Sequence, residues 1–243
     1  MTGGKNTILD LIYPRRCPVC GEILPYGRES VCVRCEPKLS YVSQPVCMKC
    51  GKELEKLDNG WNGGEYCADC IRHPKDFAGG IALLNYNAAA QAVMARLKYQ
   101  NKREGAEFLA AEMAKRHGRQ LLRLRPDALV PVPIHKARRK LRGYNQAELL
   151  AKALGRRLGI PVRTDLLFRT ENTKAQKQLG YEERQKNEAR AFRTAGKTAV
   201  RGTLILVDDI YTTGATAQSC TAALLKAGAE RVYLANMAVG YGR

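Results

Sequence analysis

Leu204 to Ala217 reads LILVDDIYTTGATA. Leu204, Ile205, Leu206 and Val207 run without polar interruption, which suits a short parallel strand buried on both faces. Asp208 and Asp209 stand at its expected end. Thr212, Thr213, Gly214, Ala215 and Thr216 then form a small polar loop leading into the apolar-periodic segment Ala217 to Ala227, a predicted helix. A helix beginning near Ala215 or Thr216 offers unpaired N–H groups and the positive end of its dipole, and Gly214 lets the backbone approach an anion closely. Hydroxyls of Thr212, Thr213 and Thr216 add donors around the same point. An anion is favoured there, most simply a phosphate. The two carboxylates repel that phosphate and must face donors: sugar hydroxyls, or a magnesium ion with its waters. The combination points to a ribose phosphate. The plain alternative is a polar strand end followed by an ordinary capped turn, and the joint occurrence of all the features weighs against it.

This string resembles the phosphoribosyl pyrophosphate (PRPP) signature of type I phosphoribosyltransferases. The resemblance implies that Asp208 and Asp209 hold the ribose 2'- and 3'-hydroxyls and that Thr212 through Thr216 cradle the 5'-phosphate.

A chain of 243 residues can hold one ordinary domain plus a small module, or two modest domains. No apolar run approaches the roughly 20 residues of a membrane span. The cluster Ile8, Leu9, Leu11, Ile12, Tyr13 is interrupted by Asp10 and lacks a small-residue cleavage site, so a cytoplasmic location is expected. The formal net charge is +18. Eight zinc-bound thiolates with two dications would bring it to about +14, still strongly basic. Such a field attracts polyphosphates and nucleic acid with a steep salt dependence. Lysines and arginines scattered for solubility are the alternative, less apt for the run Lys136, Arg138, Arg139, Lys140, Arg142.

Four CxxC pairs lie between Cys17 and Cys70: Cys17/Cys20, Cys32/Cys35, Cys47/Cys50 and Cys67/Cys70. Each CxxC turn aims two sulfurs at one point, and two turns complete a tetrahedral zinc site. Neighbouring pairs most simply share a metal. The first zinc site is then Cys17, Cys20, Cys32, Cys35, and the second is Cys47, Cys50, Cys67, Cys70. Interleaved pairing, as in cross-braced fingers, is the alternative that spacing alone leaves open. A disulfide framework fits poorly without a signal peptide and in a reducing compartment. Ribbons of about 20 residues are too short for a self-sufficient core, so metal binding, worth about 10–16 kcal/mol per site, would fold them. The pattern resembles a double zinc ribbon, with closed structural sites. His73 reads as a surface histidine and Cys220 as a packed core thiol.

The expected domains are a lead-in over 1–16, a double zinc ribbon over 17–75 and an α/β domain over 80–243. Within the last, Ile81–Tyr86 reads as a strand, Ala88–Lys98 and Glu104 to about His117 as helices, and Asp127–Val132 as a strand. Asn145 with Glu148 is a capping-box-like start for a helix ended by Gly159 and Pro161. Val162–Phe168 reads as a further strand and Arg231–Val239 as the last. This alternation predicts a mainly parallel sheet with helices on both faces and a ligand at the carboxyl ends of its strands. Arg169–Glu188 is polar and basic, and reads as a lid over a phosphate site or as a solvated linker. The absence of GxxxxGK[ST] disfavours a P-loop ATPase.

VPVPIHKARRKLRGYNQAELLA, TKAQKQLGYEERQKNEARAF and LILVDDIYTTGATA, behind four CxxC pairs, together resemble the ComF family, bacterial proteins linked to DNA uptake in competence and to use of DNA as a nutrient. The resemblance covers nearly the whole chain, Tyr86 and Lys98 included, with Tyr144 where phenylalanine is common. It implies a type I phosphoribosyltransferase-like domain behind the ribbons. Pro131, Val132, Pro133 and Ile134 would form the pyrophosphate loop, with Arg138, Arg139 and Arg142 to neutralise it. Thr173, Gln176, Arg184 and Asn187 match the lid motif. The implied chemistry is transfer of a pentosyl group: displacement at the anomeric carbon by an unidentified nitrogen nucleophile, with Mg2+ bound alongside PRPP and no general base assigned. The alternative is a non-catalytic accessory protein that uses PRPP or a nucleotide as a regulatory ligand while binding single-stranded DNA or competence-machinery proteins.

Overall fold

In a computed structural model of the chain, the described residues are 14–25, 30–54, 63–99, 104–170, 191–194 and 201–241. The apolar run at Leu204 lies in strand β5 (Thr203–Tyr211), flanked by β2 (Ala128–Pro131) and β6 (Arg231–Val239). β1 (Gly79–Asn85) pairs with the other side of β6, giving a parallel four-stranded sheet in the order β1-β6-β5-β2. Side chains alternate between two apolar layers with the period of the pleat. Ile205 and Val207 enter one layer with Leu129 and Leu83, whereas Leu204 and Leu206 enter the other with Val130 and Leu234.

The first layer is closed by α2 (Ala88–Tyr99), α3 (Glu104–Arg123) and α5 (Gln146–Leu158). The second is closed by α6 (Ala215–Lys226) and by the antiparallel pair of β3 (Leu167–Arg169) and β4 (Phe192–Thr194). Helices therefore cover both faces, as the alternating pattern predicts. Among the described residues no helix is long and apolar enough to cross a membrane.

The cysteine-rich segment carries a 3-10 turn (Glu36–Lys38) and a short helix, α1 (Ala68–Arg72), and it straddles the β1 edge. Cys17, Cys32 and Cys35 belong to the first apolar layer, and the second quartet of cysteines to the other. Between them Tyr41 bridges Leu84 antiparallel, with Val42 N donating to Leu83 O at 3.0 Å and Asn85 N to Ser40 O at 2.7 Å. A ribbon segment thus covers the sheet edge that β1 would otherwise leave open.

Three elements depart from the sequence reading. Val162–Phe168 is not one strand. Val162 forms a single parallel bridge to Leu129, the Arg163–Asp165 fork (2.8 Å on both arms) turns the chain, and only then does β3 begin, outside the parallel sheet. The helix expected to stop near His117 runs on to Arg123, because buried Gly118 lets Leu158 of α5 lie against the backbone instead of ending the helix. The basic run folds as α4 (Lys136–Arg142), capped by His135, whose Nδ1 accepts from Ala137 N at 3.2 Å, and ended by left-handed Gly143.

Candidate functional site

The carboxyl ends of β2, β5 and β6 gather the predicted residues. Asp208 and Asp209 lie inside β5, which continues to Tyr211, so their positions are fixed by the ladder: Asp208 is opposite Asn236 of β6. Asp209 N donates to Asp208 Oδ1 at 2.8 Å, and Asp209 forms an ion pair with Lys98 of α2. Burial first, and the charge of Asp209 second, push the Asp208 carboxyl well above the usual carboxylate range. One acid is thus neutralised by a lysine, while its neighbour resists ionisation.

Beyond Tyr211 the chain turns through Thr212 and Thr213 to Gly214, whose φ of +78° is open to glycine at little cost. Gly214 is also the N-cap of α6 and brings no side chain to cap it. A Cβ on Gly214 would lie 2.3 Å from Tyr211 Oη. That hydroxyl is buried without a hydrogen-bond partner, and burial drives its ionisation far upward. Ala215 is buried in the first turn of α6, Thr216 is half-buried, and Thr212 is exposed.

The proline-rich segment reaches the same end. Pro131 pairs with Val207 in the ladder, and Val132 N donates to Val207 O at 3.0 Å, alongside the acidic pair. Asn145 holds this segment and the start of α5 together: its Nδ2 donates to Val132 O at 2.9 Å, and its Oδ1 accepts from Ala147 N at 3.1 Å. Glu148 reaches outward instead of completing a capping box, pairing with Arg139 at 3.2 Å and Lys152 at 2.7 Å. Pro133 and Ile134 are half-buried between Val132 and α4, which carries Arg138, Arg139 and Arg142. Arg142 Nη1 donates to Gln146 Oε1 at 3.1 Å and lies 5.2 Å from the ring centroid of exposed Tyr99. Among the described residues Arg138 has no ion pair. Thr173, Gln176, Arg184 and Asn187 lie outside the described residues. Of the residues flanking them, Thr170 N donates to Ala191 O at 2.9 Å.

The cysteine sulfurs form two quartets, each within 4.8 Å: Cys17, Cys20, Cys32, Cys35 and Cys47, Cys50, Cys67, Cys70. They assemble from neighbouring pairs, not interleaved ones. A tetrahedral zinc with Zn–S of about 2.3 Å requires sulfurs about 3.8 Å apart. Cys20–Cys32 and Cys50–Cys67 both stand at 3.8 Å, so the donor sets fit zinc. Burial opposes ionisation of Cys17, but backbone N–H groups of Cys20, Cys32 and Val19 outweigh it and bring the thiol down to about 6. Cys67 N likewise donates to Cys47 Sγ at 3.3 Å.

The double zinc ribbon domain family matches residues 8–71. Competence protein F of Haemophilus influenzae is 30% identical over 232 residues, covering 92% of this chain and 96% of that protein. The chain belongs to the ComF family. DNA utilization protein YhgH of Escherichia coli K12 is 30% identical over 170 residues, 68% of this chain and 74% of that protein. Competence protein ComFC of Bacillus subtilis is 31% identical over 171 residues, 67% of each.

Set on this ComF scaffold, two residues gain meaning that their local sequence does not carry. Lys98 is notable in the sequence only through family resemblance, and its reach to Asp209 depends on how α2 crosses the sheet. Lys52 sits in the second ribbon, yet its Nζ donates to Thr212 O at 2.7 Å. No periodicity or spacing signals a contact across 160 positions. Tyr144 does have a local reason to differ from phenylalanine: its hydroxyl donates to Leu97 O, one residue before Lys98.

Proposed function

We propose that this protein binds PRPP, or a closely related ribose phosphate, and acts as a phosphoribosyltransferase-like protein in DNA uptake or in the use of DNA-derived nucleotides. The observation that carries the reading is the convergence of Asp208, Asp209, the Thr212–Thr216 loop and Val132 at one end of a parallel sheet, where such folds hold ligands. The competence and DNA-utilization names of the relatives supply the biological setting.

In this reading the loop and the start of α6 take the 5'-phosphate, and Asp208 and Asp209 accept hydrogen bonds from the ribose hydroxyls. The backbone of Pro131–Ile134 takes pyrophosphate, with Arg138, Arg139 and Arg142 nearby on α4. Transfer would form a bond from an acceptor nitrogen to the anomeric carbon and break the bond to pyrophosphate, which leaves with the electron pair; the acceptor's proton passes to solvent. Mg2+, which these oxygen donors suit, would supply charge neutralisation for PRPP when bound. Lys98 must share Asp209 with the sugar or release it.

Calorimetric titration with PRPP and magnesium tests the site. The wild type should bind, and the Asp208→Asn/Asp209→Asn variant should not. Pyrophosphate release with a panel of bases and amines then identifies turnover. Absence of binding by the wild type would sink the reading.

The cation–π pair of Arg142 and exposed Tyr99, on a strongly basic chain, favours a second role as a single-stranded DNA-binding accessory protein that responds to the same ligand. That role predicts DNA affinity falling steeply with salt and surviving the double Asp substitution. Salt-independent affinity would exclude it.

A further inference from the structure

The second cysteine quartet and the threonine loop are joined at two places. Lys52 lies two residues past Cys50 and is 5% exposed. Its backbone belongs to the metal-binding turn: Cys47 N donates to Lys52 O and Gly51 N to Cys47 O, both at 2.8 Å. Its side chain leaves that turn, passes 5.4 Å from the Tyr211 ring centroid and ends on Thr212 O at 2.7 Å. On the other side of the quartet, Asp76 N donates to Gln218 Oε1 at 2.9 Å while Gln218 Nε2 donates to Asp76 Oδ2 at 2.6 Å. Gln218 is in the first turn of α6, where its own N–H donates to Gly214 O at 2.8 Å. The ribbon therefore grips the loop at its entry through Lys52, and the segment that follows the ribbon holds the helix just after the loop's exit through Asp76.

We infer that Lys52 is a positioning residue for the phosphate loop, and that metal in the second quartet and an anion in the loop are thermodynamically coupled through it. The inference rests on the reading of this loop as a phosphate site. The physical step is peptide planarity. In a trans peptide the C=O of Thr212 and the N–H of Thr213 point in opposite directions. With the carbonyl drawn to Lys52, its negative end is kept away from an incoming phosphate and the Thr213 N–H is turned to the side opposite the lysine. Without Lys52 that peptide is free to rotate, and a carbonyl facing the anion would repel it. Zinc, when bound, fixes the Cys47–Cys50 turn from which Lys52 projects. Coupling of this kind is reciprocal: what metal does for the anion, the anion does for the metal.

Amide hydrogen exchange of a peptide spanning 211–218 decides the matter, read on full-length protein whose zinc content has been measured. Lys52→Met carrying two zinc ions should exchange about tenfold faster than wild type at Gln218, whose N–H donates to Gly214 O across the loop's exit, with Lys52→Arg restoring protection, while a peptide over 128–134 stays unchanged. Wild-type exchange rates in zinc-loaded Lys52→Met would overturn the inference. Should Lys52→Met fail to hold zinc, chelator competition on the wild type decides instead. Saturating PRPP should raise zinc affinity about tenfold, within the usual range of allosteric coupling, and an unchanged affinity with PRPP bound would overturn it. Failure of the wild type to bind PRPP at all would remove the phosphate reading alone, leaving the exchange comparison to judge Lys52.

Discussion

Lys98 of α2 forms an ion pair with Asp209, and that pair also lowers the cost of charging Asp208 beside it. Replacing Lys98 with methionine leaves adjacent carboxylates without a cation, so Asp208 ionises less readily still. Destabilisation should be largest where both acids would be charged. Melting curves of Lys98→Met should fall by about 3–8 °C at pH 8, corresponding to roughly 1–3 kcal/mol, and by much less at pH 4. Equal losses at both pH values would show that the lysine contributes through packing instead.

Asp208 makes the complementary case. Folding raises its pKa above the ordinary value of 3.8, so the folded chain keeps this proton longer than the unfolded one. The associated stability is full below about pH 4 and is lost as pH rises through the folded pKa. Asp208→Asn retains an Oδ1 for the Asp209 N–H and removes the charge. Its Tm should exceed that of the wild type by about 2–4 °C at pH 8, equivalent to about 1 kcal/mol, with the difference closing towards pH 4. Loss of the proposed PRPP binding in a more stable protein would separate that role from folding. A lower Tm at pH 8 would contradict the burial of a reluctant charge.

An uninterrupted apolar run and a single capping side chain are legible in the amino-acid sequence. Leu204–Val207 identifies a doubly buried strand because no polar residue interrupts it, and Asn145 caps α5 because its side chain needs only the next turn. The four CxxC pairs imply two metal sites, but which pairs combine depends on the path of residues 36 to 46. The α4 helix is hidden in the sequence because Lys136–Arg142 buries no residue and so has no apolar period; its ends come from His135 and Gly143. Lys52 is out of reach for a different reason. A buried lysine is explained only by the acceptor it finds, and Thr212 O is supplied by the other end of the chain.

Metal removal should unfold more than the ribbons. Cys17, Cys32 and Cys35 share an apolar layer with Leu83, Val93 and Leu129, and Cys47, Cys50, Cys67 and Cys70 share the other with Ala82, Leu206 and Leu234. Each ribbon is thus an extension of one sheet face. Chelation should lower the Tm of the whole chain by more than about 10 °C in one cooperative transition, since zinc binding contributes folding free energy directly. Two separate transitions, with the sheet melting as before, would show that the ribbons and sheet are energetically independent.

Gly214 admits no side chain for two independent reasons, and a pair of substitutions separates them. Its φ of +78° strains any other residue, and a Cβ there would stand 2.3 Å from Tyr211 Oη and 2.7 Å from the ring carbon that bears it. Tyr211→Phe removes only the unpartnered buried hydroxyl, so it should be neutral or stabilising by up to about 1–3 kcal/mol. Gly214→Ala should cost at least about 1–3 kcal/mol and displace the start of α6, abolishing the proposed PRPP binding. The double variant should remain as impaired as Gly214→Ala, because the ring carbon and the backbone strain persist when the hydroxyl is gone. Recovery of stability and binding in the double variant would mean that the hydroxyl alone excludes the methyl group, and that the left-handed backbone at Gly214 is not required by the loop.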